Sequence, residues 1–331
     1  MVGKFCPLHR GHQRVIETAQ AQCDAIVLLS YCNPEHRRCE PARRARWLQQ
    51  LYPGAVRIVL ENPRDAIPPD DAPDEVHRAF VAGILRSRAP ELIDAVFTSE
   101  AYGEGFAASL ERRQRARDPQ GPTVRHVMVD AARSSVAVSG SALRAGQVPL
   151  EFLHDVVRAD FVRRICLLGG ESTGKTTLAQ ALARALDEPW VAEYGRELWE
   201  ARAGVLQYED LLAIAREQVR REDEAARRAR RFVVCDTSPL TTLFYCLEMF
   251  GRAQAQLEAL ARRGYDLHVL CGDELEFQQD GTRREPGFRA QGQAWYRREL
   301  ADRGLAWIEV RGGVQDRVRQ VLSQPSVASG S

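Results

Sequence analysis

Ile165-Cys166-Leu167-Leu168-Gly169-Gly170-Glu171-Ser172-Thr173-Gly174-Lys175-Thr176-Thr177 decides the fold of the second half of the chain. Four apolar residues lead straight into G-x-x-x-x-G-K-T, and residues 177–186 behind it have the apolar spacing of a helix. Strand, glycine loop, Lys-Thr and helix is the order of a phosphate loop. Its backbone N–H groups and the helix N-terminus attract phosphate oxygens. Lys175 is then placed for the β- and γ-phosphates, and the Thr176 hydroxyl for Mg²⁺.

The loop also explains a bias in composition. The chain has 46 basic side chains, and only two are lysine. Lys175 is one. Lys4, just before His9-Arg10-Gly11-His12, is the other. An ammonium is a compact point charge, whereas a guanidinium is a wide planar fork. A cradle of backbone N–H groups has room for the first. The two lysines thus point to two phosphate-handling sites, one in each half of the chain.

A length of 331 residues suits two domains of about 150 each. The net charge of +1 gives no overall basic field for nucleic acid. Eight cysteines show no C-x-x-C pair and several lie in apolar runs, which suggests free buried thiols in a reducing cytoplasm. Cys32, His36 and Cys39 lack an evident fourth ligand for tetrahedral zinc. No apolar run approaches the ~20 residues a membrane helix needs, and no signal peptide precedes the first motif.

In the first half, apolar runs at 25–30, 56–60 and 94–98 read as buried strands, and helical spacing marks 12–23, 41–51 and 72–86. That alternation implies a parallel sheet with helices on both faces. Residues 61–74, with four prolines, read as a loop, and 111–122 as an exposed helix end and loop. A short helix after Pro149 joins the halves. The second half continues with helices near 208–231 and 239–262, and strands at 231–235, 268–271 and 307–310. The expected fold is α/β with two parallel-sheet domains, 1–157 and 158–322, followed by a disordered tail over 323–331.

Other residues of the second half suit a small-molecule kinase. Phe232-Val233-Val234-Cys235-Asp236 ends a strand in an acid able to hold Mg²⁺ or to accept a substrate hydroxyl proton. The same Asp236 also stands where a helix N-cap belongs. Glu193-Tyr194-x-Arg196 suits a nucleoside, with Tyr194 stacking, Glu193 on ribose hydroxyls and Arg196 near phosphate. Gln279-Asp280-Gly281-Thr282-Arg283-Arg284, with Arg289 beyond, suits a lid over ATP.

In the first half, His9 and His12 stand one turn apart at a helix start, where the helix dipole helps them stabilise a pentacovalent α-phosphate. Ser139-Gly140-Ser141-Ala142-Leu143-Arg144 offers hydroxyls, N–H groups and a guanidinium for the β- and γ-phosphates. The serines also suit plain helix capping.

Together these motifs resemble a known family. His9-x-Gly11-His12 with Ser139-Gly140-Ser141-x-x-Arg144 is similar to the HxGH nucleotidyltransferases, which have a Rossmann-like fold. Gly3-Lys4-Phe5-x-Pro7-Leu8-His9-x-Gly11-His12 followed by a phosphate-loop kinase resembles the NadR-type bifunctional proteins, nicotinamide-nucleotide adenylyltransferases fused to a ribosylnicotinamide kinase. The likeness extends to residues 97–100, 43–47, 236–237 and 279–283 and covers most of the chain. It implies that the second domain phosphorylates nicotinamide riboside with ATP and Mg²⁺. It implies that the first joins the resulting mononucleotide (NMN) to ATP, giving NAD and pyrophosphate. His9, His12 and Lys4 would act on the ATP phosphates, Ser139, Ser141 and Arg144 would hold the triphosphate, and Trp47 would lie near the nicotinamide.

Only Met1 and Val2 precede Gly3, so either the true start lies upstream or strand 1 is short, and no helix-turn-helix or DNA binding is expected. The sequence leaves a homo-oligomer open. Two other readings compete. One is a fused phosphopantetheine adenylyltransferase and dephospho-coenzyme A kinase, which shares both motif types. The other is a nucleotide sensor without catalysis, which has no use for Asp236.

Overall fold

The computed structural model describes residues 1–130, 138–276 and 286–328. The chain forms two compact units, Met1–Asp160 and Phe161–Ser331. Both are α/β, and the paired strands run parallel in each.

In the first unit, β1 (Val2–Gly3), β2 (Val27–Ser30) and β3 (Val56–Val59) form one sheet in the order β1-β2-β3. The strands β4 (Ala95–Thr98) and β5 (Arg125–Met128) form a second. The sequence suggested a single sheet. With two residues β1 is too short to carry a long ladder, and its recorded pairing is with β2. Packing joins the pieces. Val15 and Ala19 of the helix Arg10–Gln22 bury against Phe97 of β4 and Val129. The helix Pro41–Leu51 begins with its proline at the first position, where no N–H is needed. β5 was not expected, because only two of its four residues are even half-buried and no apolar alternation marks it.

In the second unit, β6 (Arg163–Leu168), β7 (Trp190–Val191), β8 (Phe232–Cys235), β9 (Leu267–Cys271) and β10 (Trp307–Val310) form one sheet in the order β10-β9-β6-β8-β7. β8 and β9, both wholly buried, flank β6, so the phosphate loop springs from the middle of the sheet. Buried strands between two helical layers explain their unbroken apolar runs. The helix expected over 239–262 is two helices, Pro239–Phe250 and Ala255–Leu260. Gly251, at φ 67°, ends the first in the left-handed conformation that glycine adopts without strain.

The expectation of a disordered tail from residue 323 fails through Ala328. Pro325–Ala328 is a helical turn, Val327 is buried with Val318 and Val321, and Arg163 donates to the Ser326 carbonyl at 2.7 Å. A single valine with an arginine clasp is too weak a pattern to read in a run of small polar residues. Among the described residues, no helix is long and apolar enough to cross a membrane. The Val327→Ala substitution is expected to lower stability by about 1–2 kcal/mol, read as a lower urea midpoint at unchanged m-value. An unmoved midpoint would mean that this last turn does not pack.

Candidate functional site

The phosphate loop is braced from both sides. Gly170 N–H donates to Gln293 Oε1 at 3.1 Å, and Gln293 Nε2 donates to the Cys271 carbonyl at 2.9 Å. Gln293 is 0% exposed, so both bonds are made out of water. Arg317, 2% exposed, donates to the Thr173 carbonyl at 2.6 Å and to Glu274 Oε1 at 2.8 Å. The helix Pro286–Asp302, which carries Gln293, passes so close that a Cβ on Gly170 would stand 2.8 Å from the Arg289 carbonyl. Gly174, at φ 79°, turns the loop into the helix Lys175–Leu186.

Lys175 Nζ donates to the carbonyls of Gly169 and Gly170 at 3.0 and 2.9 Å, so the ammonium lies over the loop. Thr173 is buried, its hydroxyl donating to the Gly170 carbonyl at 2.8 Å. Ser172 takes φ 60°, and Thr176 and Thr177 are exposed in the first helical turn. Asp236, at the end of β8, is 1% exposed, and its Oδ1 has no hydrogen-bond partner. Burial raises its carboxyl above the usual aspartate range, while the bonded Thr176 hydroxyl, Lys175 and Arg196 pull it back in part. Asp236 therefore faces the lysine and threonine of the loop. The capping role falls to Ser238, whose Oγ accepts from Leu240 N.

Glu193 is half-buried and also raised, first by burial, with Lys175 opposing and Asp236 adding. Glu193, Asp236, Lys175 and Arg196 are thus brought together. Arg196 also pairs with Glu200 at 3.4 Å. Tyr194, expected to stack on a nucleoside, is partly buried. Arg221 lies 4.5 Å from its ring centroid, and the ring packs against the core. Arg289, expected on a lid, is buried in a helix and donates to the carbonyls of Asp273 and Leu275. Arg283 and Arg284 lie outside the described residues.

In the first unit His9 and His12 cap their own helix. His12 N–H donates to His9 Nδ1 at 3.4 Å, and His9 N–H donates to His12 Nδ1 at 3.3 Å. The rings stack with centroids 3.7 Å apart. With each Nδ1 accepting, each neutral ring carries its proton on Nε2, a donor suited to phosphate oxygen. Phe5 meets His12 edge-on at 5.1 Å. Lys4 pairs with Asp70 at 2.8 Å.

Ser139 caps the helix Gly140–Arg144 through Ala142 N at 3.1 Å, and Arg144 donates to Ser141 Oγ at 3.2 Å and to the Cys6 carbonyl. A Cβ on Gly140 would stand 2.9 Å from that carbonyl. Residues 4–12 and 139–144, over a hundred positions apart, therefore meet. Trp47 does not offer a ring face to a ligand. It is 0% exposed, with its indole N–H donating to Asp160 Oδ2 at 2.6 Å.

Sequence reasoning missed Gln293, Arg317, Asp70 and Tyr245, whose hydroxyl donates to Glu171 Oε1 at 3.0 Å. None lies in a motif, and the helix carrying Gln293 has no clear apolar face. Cys32, His36 and Cys39 form no metal site. Cys32 Sγ faces Cys6 Sγ at 3.5 Å and Glu35 at 3.2 Å, and no group of three ligating side chains occurs among the described residues. Burial and then Arg144 lower the His36 pKa, which favours a neutral ring beside the arginine.

Comparison with known proteins gives three findings. A model described as an AAA domain matches residues 164–317. The trifunctional NAD biosynthesis/regulator proteins NadR of Escherichia coli (strain K12) and Salmonella typhimurium are each 29% identical over 303 residues, 85% of this chain and 70% of theirs. A crystal structure of NadR with NAD and AMP-PNP shares the fold at TM-score 0.70 and 20% identity, covering 99% of this chain and 94% of that one. A NadR structure with NR does so at 0.72 and 21%, covering 97% and 94%.

Gln293→Leu leaves Gly170 N–H and the Cys271 carbonyl without partners. It is expected to cost about 1–3 kcal/mol of stability and to weaken MgATP binding, read by thermal unfolding and calorimetric titration. Unchanged MgATP affinity in the folded variant would show that the loop keeps its shape without the clamp.

Proposed function

We propose that this chain, a homologue of the NadR proteins, is a cytoplasmic enzyme of NAD synthesis with two ATP-dependent activities. Residues 158–322 would phosphorylate nicotinamide riboside to the mononucleotide. Residues 1–157 would transfer the adenylyl group of ATP to that mononucleotide, giving NAD and pyrophosphate. The observation that carries the first is the buried, unpartnered Asp236 Oδ1 beside Lys175 and Thr176. A buried carboxylate oxygen left without a partner costs free energy unless a ligand completes it.

In the kinase unit the loop N–H groups and Lys175 hold the β- and γ-phosphates. Asp236 accepts the proton of the riboside hydroxyl as its oxygen bonds to the γ-phosphorus and ADP leaves. Glu193 and Arg196 orient the riboside. The Thr176 hydroxyl, with Asp236 acting through water, fits Mg²⁺, which when bound would neutralise charge on the phosphate oxygens.

In the first unit the mononucleotide's phosphate oxygen attacks the α-phosphorus and pyrophosphate leaves. His9 and His12 donate from Nε2 to the charge that develops, and the helix N-terminus adds its dipole. Lys4 exchanges Asp70 for phosphate, and Ser139, Ser141 and Arg144 hold the triphosphate.

Lys175→Ala is expected to abolish riboside phosphorylation and spare adenylyl transfer, and His12→Ala to do the reverse, in assays with each substrate separately. If either folded variant lost both activities, the two-site account would fail.

Asp236 acts as the carboxylate, so kinase turnover falls as pH drops through its pKa. Burial raises that value, so the acid limb of kcat/KM is expected above the usual aspartate range. Arg196→Gln, which removes a charge that lowers it, is expected to move the limb higher still. A limb in the ordinary aspartate range, unmoved by the substitution, contradicts the role given to Asp236.

A further inference from the structure

The first unit has a cleft away from its histidines. It lies between the helices Asp74–Arg88 and Tyr102–Arg115 and has a volume of about 330 Å³, within the ~300–1,000 Å³ range of small-molecule sites. Residues 89–93, which lead into β4, complete its lining. The cleft is therefore at the amino end of β4, whereas Lys4 and His9 follow the carboxyl end of β1. Its walls are aliphatic. Leu85, Ala89 and Leu110 line it as buried side chains. Gly83 faces open space, since a Cβ built there meets no atom within 4 Å. The buried Gln114 amide is already spent, with Oε1 accepting from Ile93 N and Nε2 donating to the Ile93 carbonyl, each at 2.8 Å. The lining holds no aromatic ring, so it offers a flat base no stacking face.

The rim is cationic. Arg86, Arg113 and Arg117 stand there with one acid, Glu91. Arg113 is engaged by Glu75 at 2.6 Å. Among the described residues, the guanidiniums of Arg86 and Arg117 make no hydrogen bond or ion pair. A helix dipole accounts for a cation in the last turn, as at Arg86, but Arg117 lies past the helix end at Arg115. An aliphatic chain gains by covering such walls, and a carboxylate matches the planar fork of a guanidinium.

We propose that this cleft binds an aliphatic carboxylate of medium chain length, with the chain against Leu85 and Leu110 and the carboxylate at Arg86 and Arg117. The buried walls supply the affinity, and the two arginines select an anionic head over a neutral one. The inference stands independently of the reading as an enzyme of NAD synthesis.

The test is calorimetric titration of the full chain with hexanoate, octanoate and octan-1-ol. Octanoate is expected to bind saturably at a single site per chain, and to bind more tightly than hexanoate by roughly three- to fourfold per methylene. Octan-1-ol, with the same tail and no charge, is expected to bind more weakly. Arg86→Gln combined with Arg117→Gln is expected to weaken octanoate about tenfold and to leave octan-1-ol unchanged. Gly83→Leu puts a good helix former into the open space. It is expected to remove saturable octanoate binding while the melting temperature holds or rises. A native chain that binds no octanoate saturably overturns the proposal. Octanoate binding undiminished in Gly83→Leu would place the ligand elsewhere and overturn it too. Octan-1-ol binding as tightly as octanoate would overturn the selection by the arginines.

Discussion

A buried guanidinium holds the candidate site of each unit in shape. In the second unit Arg317 binds the Thr173 carbonyl of the loop and the Gly272 carbonyl beyond β9. In the first, Arg44 is 0% exposed and bonds Ser30 Oγ at 2.9 Å, the Cys39 carbonyl at 2.9 Å and Glu35 at 2.9 Å. Ser30 in turn donates to the Lys4 carbonyl at 3.0 Å, which ties the strand end to the loop that carries His9. A buried arginine left without partners costs several kcal/mol, so such a side chain enforces the geometry of everything it touches. The composition follows this division. Arginine, with five donors in a rigid fork, knits carbonyls together, while the two lysines bear a point charge on Asp70 and over the glycine loop.

Both sites lie at the carboxyl ends of parallel strands, where helix N-termini converge and backbone N–H groups have no partner within the helix. Each unit adds its own chemistry to that shared electrostatic base. The first places two imidazoles at the helix start, oriented by bonds between each ring and the other's backbone. The second places a buried carboxylate opposite the loop, with its affinity for protons raised by burial and partly offset by Thr176 and Lys175. A group poised in this way is costly to keep, and the core beneath it is dense. Ile165, Leu167, Val234 and Val269 are all buried in one cluster with the helix that the loop opens.

The sequence was most legible where a motif and a period coincide. The strand-loop-helix at Arg163–Leu186 is there as read, because the glycines, lysine and apolar run each require the same arrangement. The meeting of residues 4–12 with 139–144 was legible only through the motifs, since no local pattern encodes a contact across the sheet. Trp47 was misjudged because an aromatic side chain looks alike in a core and in a binding site, and only burial separates them. The contact of Tyr194 with Arg221 was not legible either, since the two lie on different helices. Gln293 and Arg317 left no trace because most of their partners are backbone carbonyls and N–H groups, which have no sequence signature.

The most direct test is product analysis of the purified protein with MgATP and nicotinamide riboside, and separately with nicotinamide mononucleotide. The account predicts mononucleotide and then NAD from the riboside, and NAD with pyrophosphate from the mononucleotide. Mononucleotide that accumulates with no NAD from either substrate would contradict the role given to His9 and His12. No reaction with either would contradict the account as a whole.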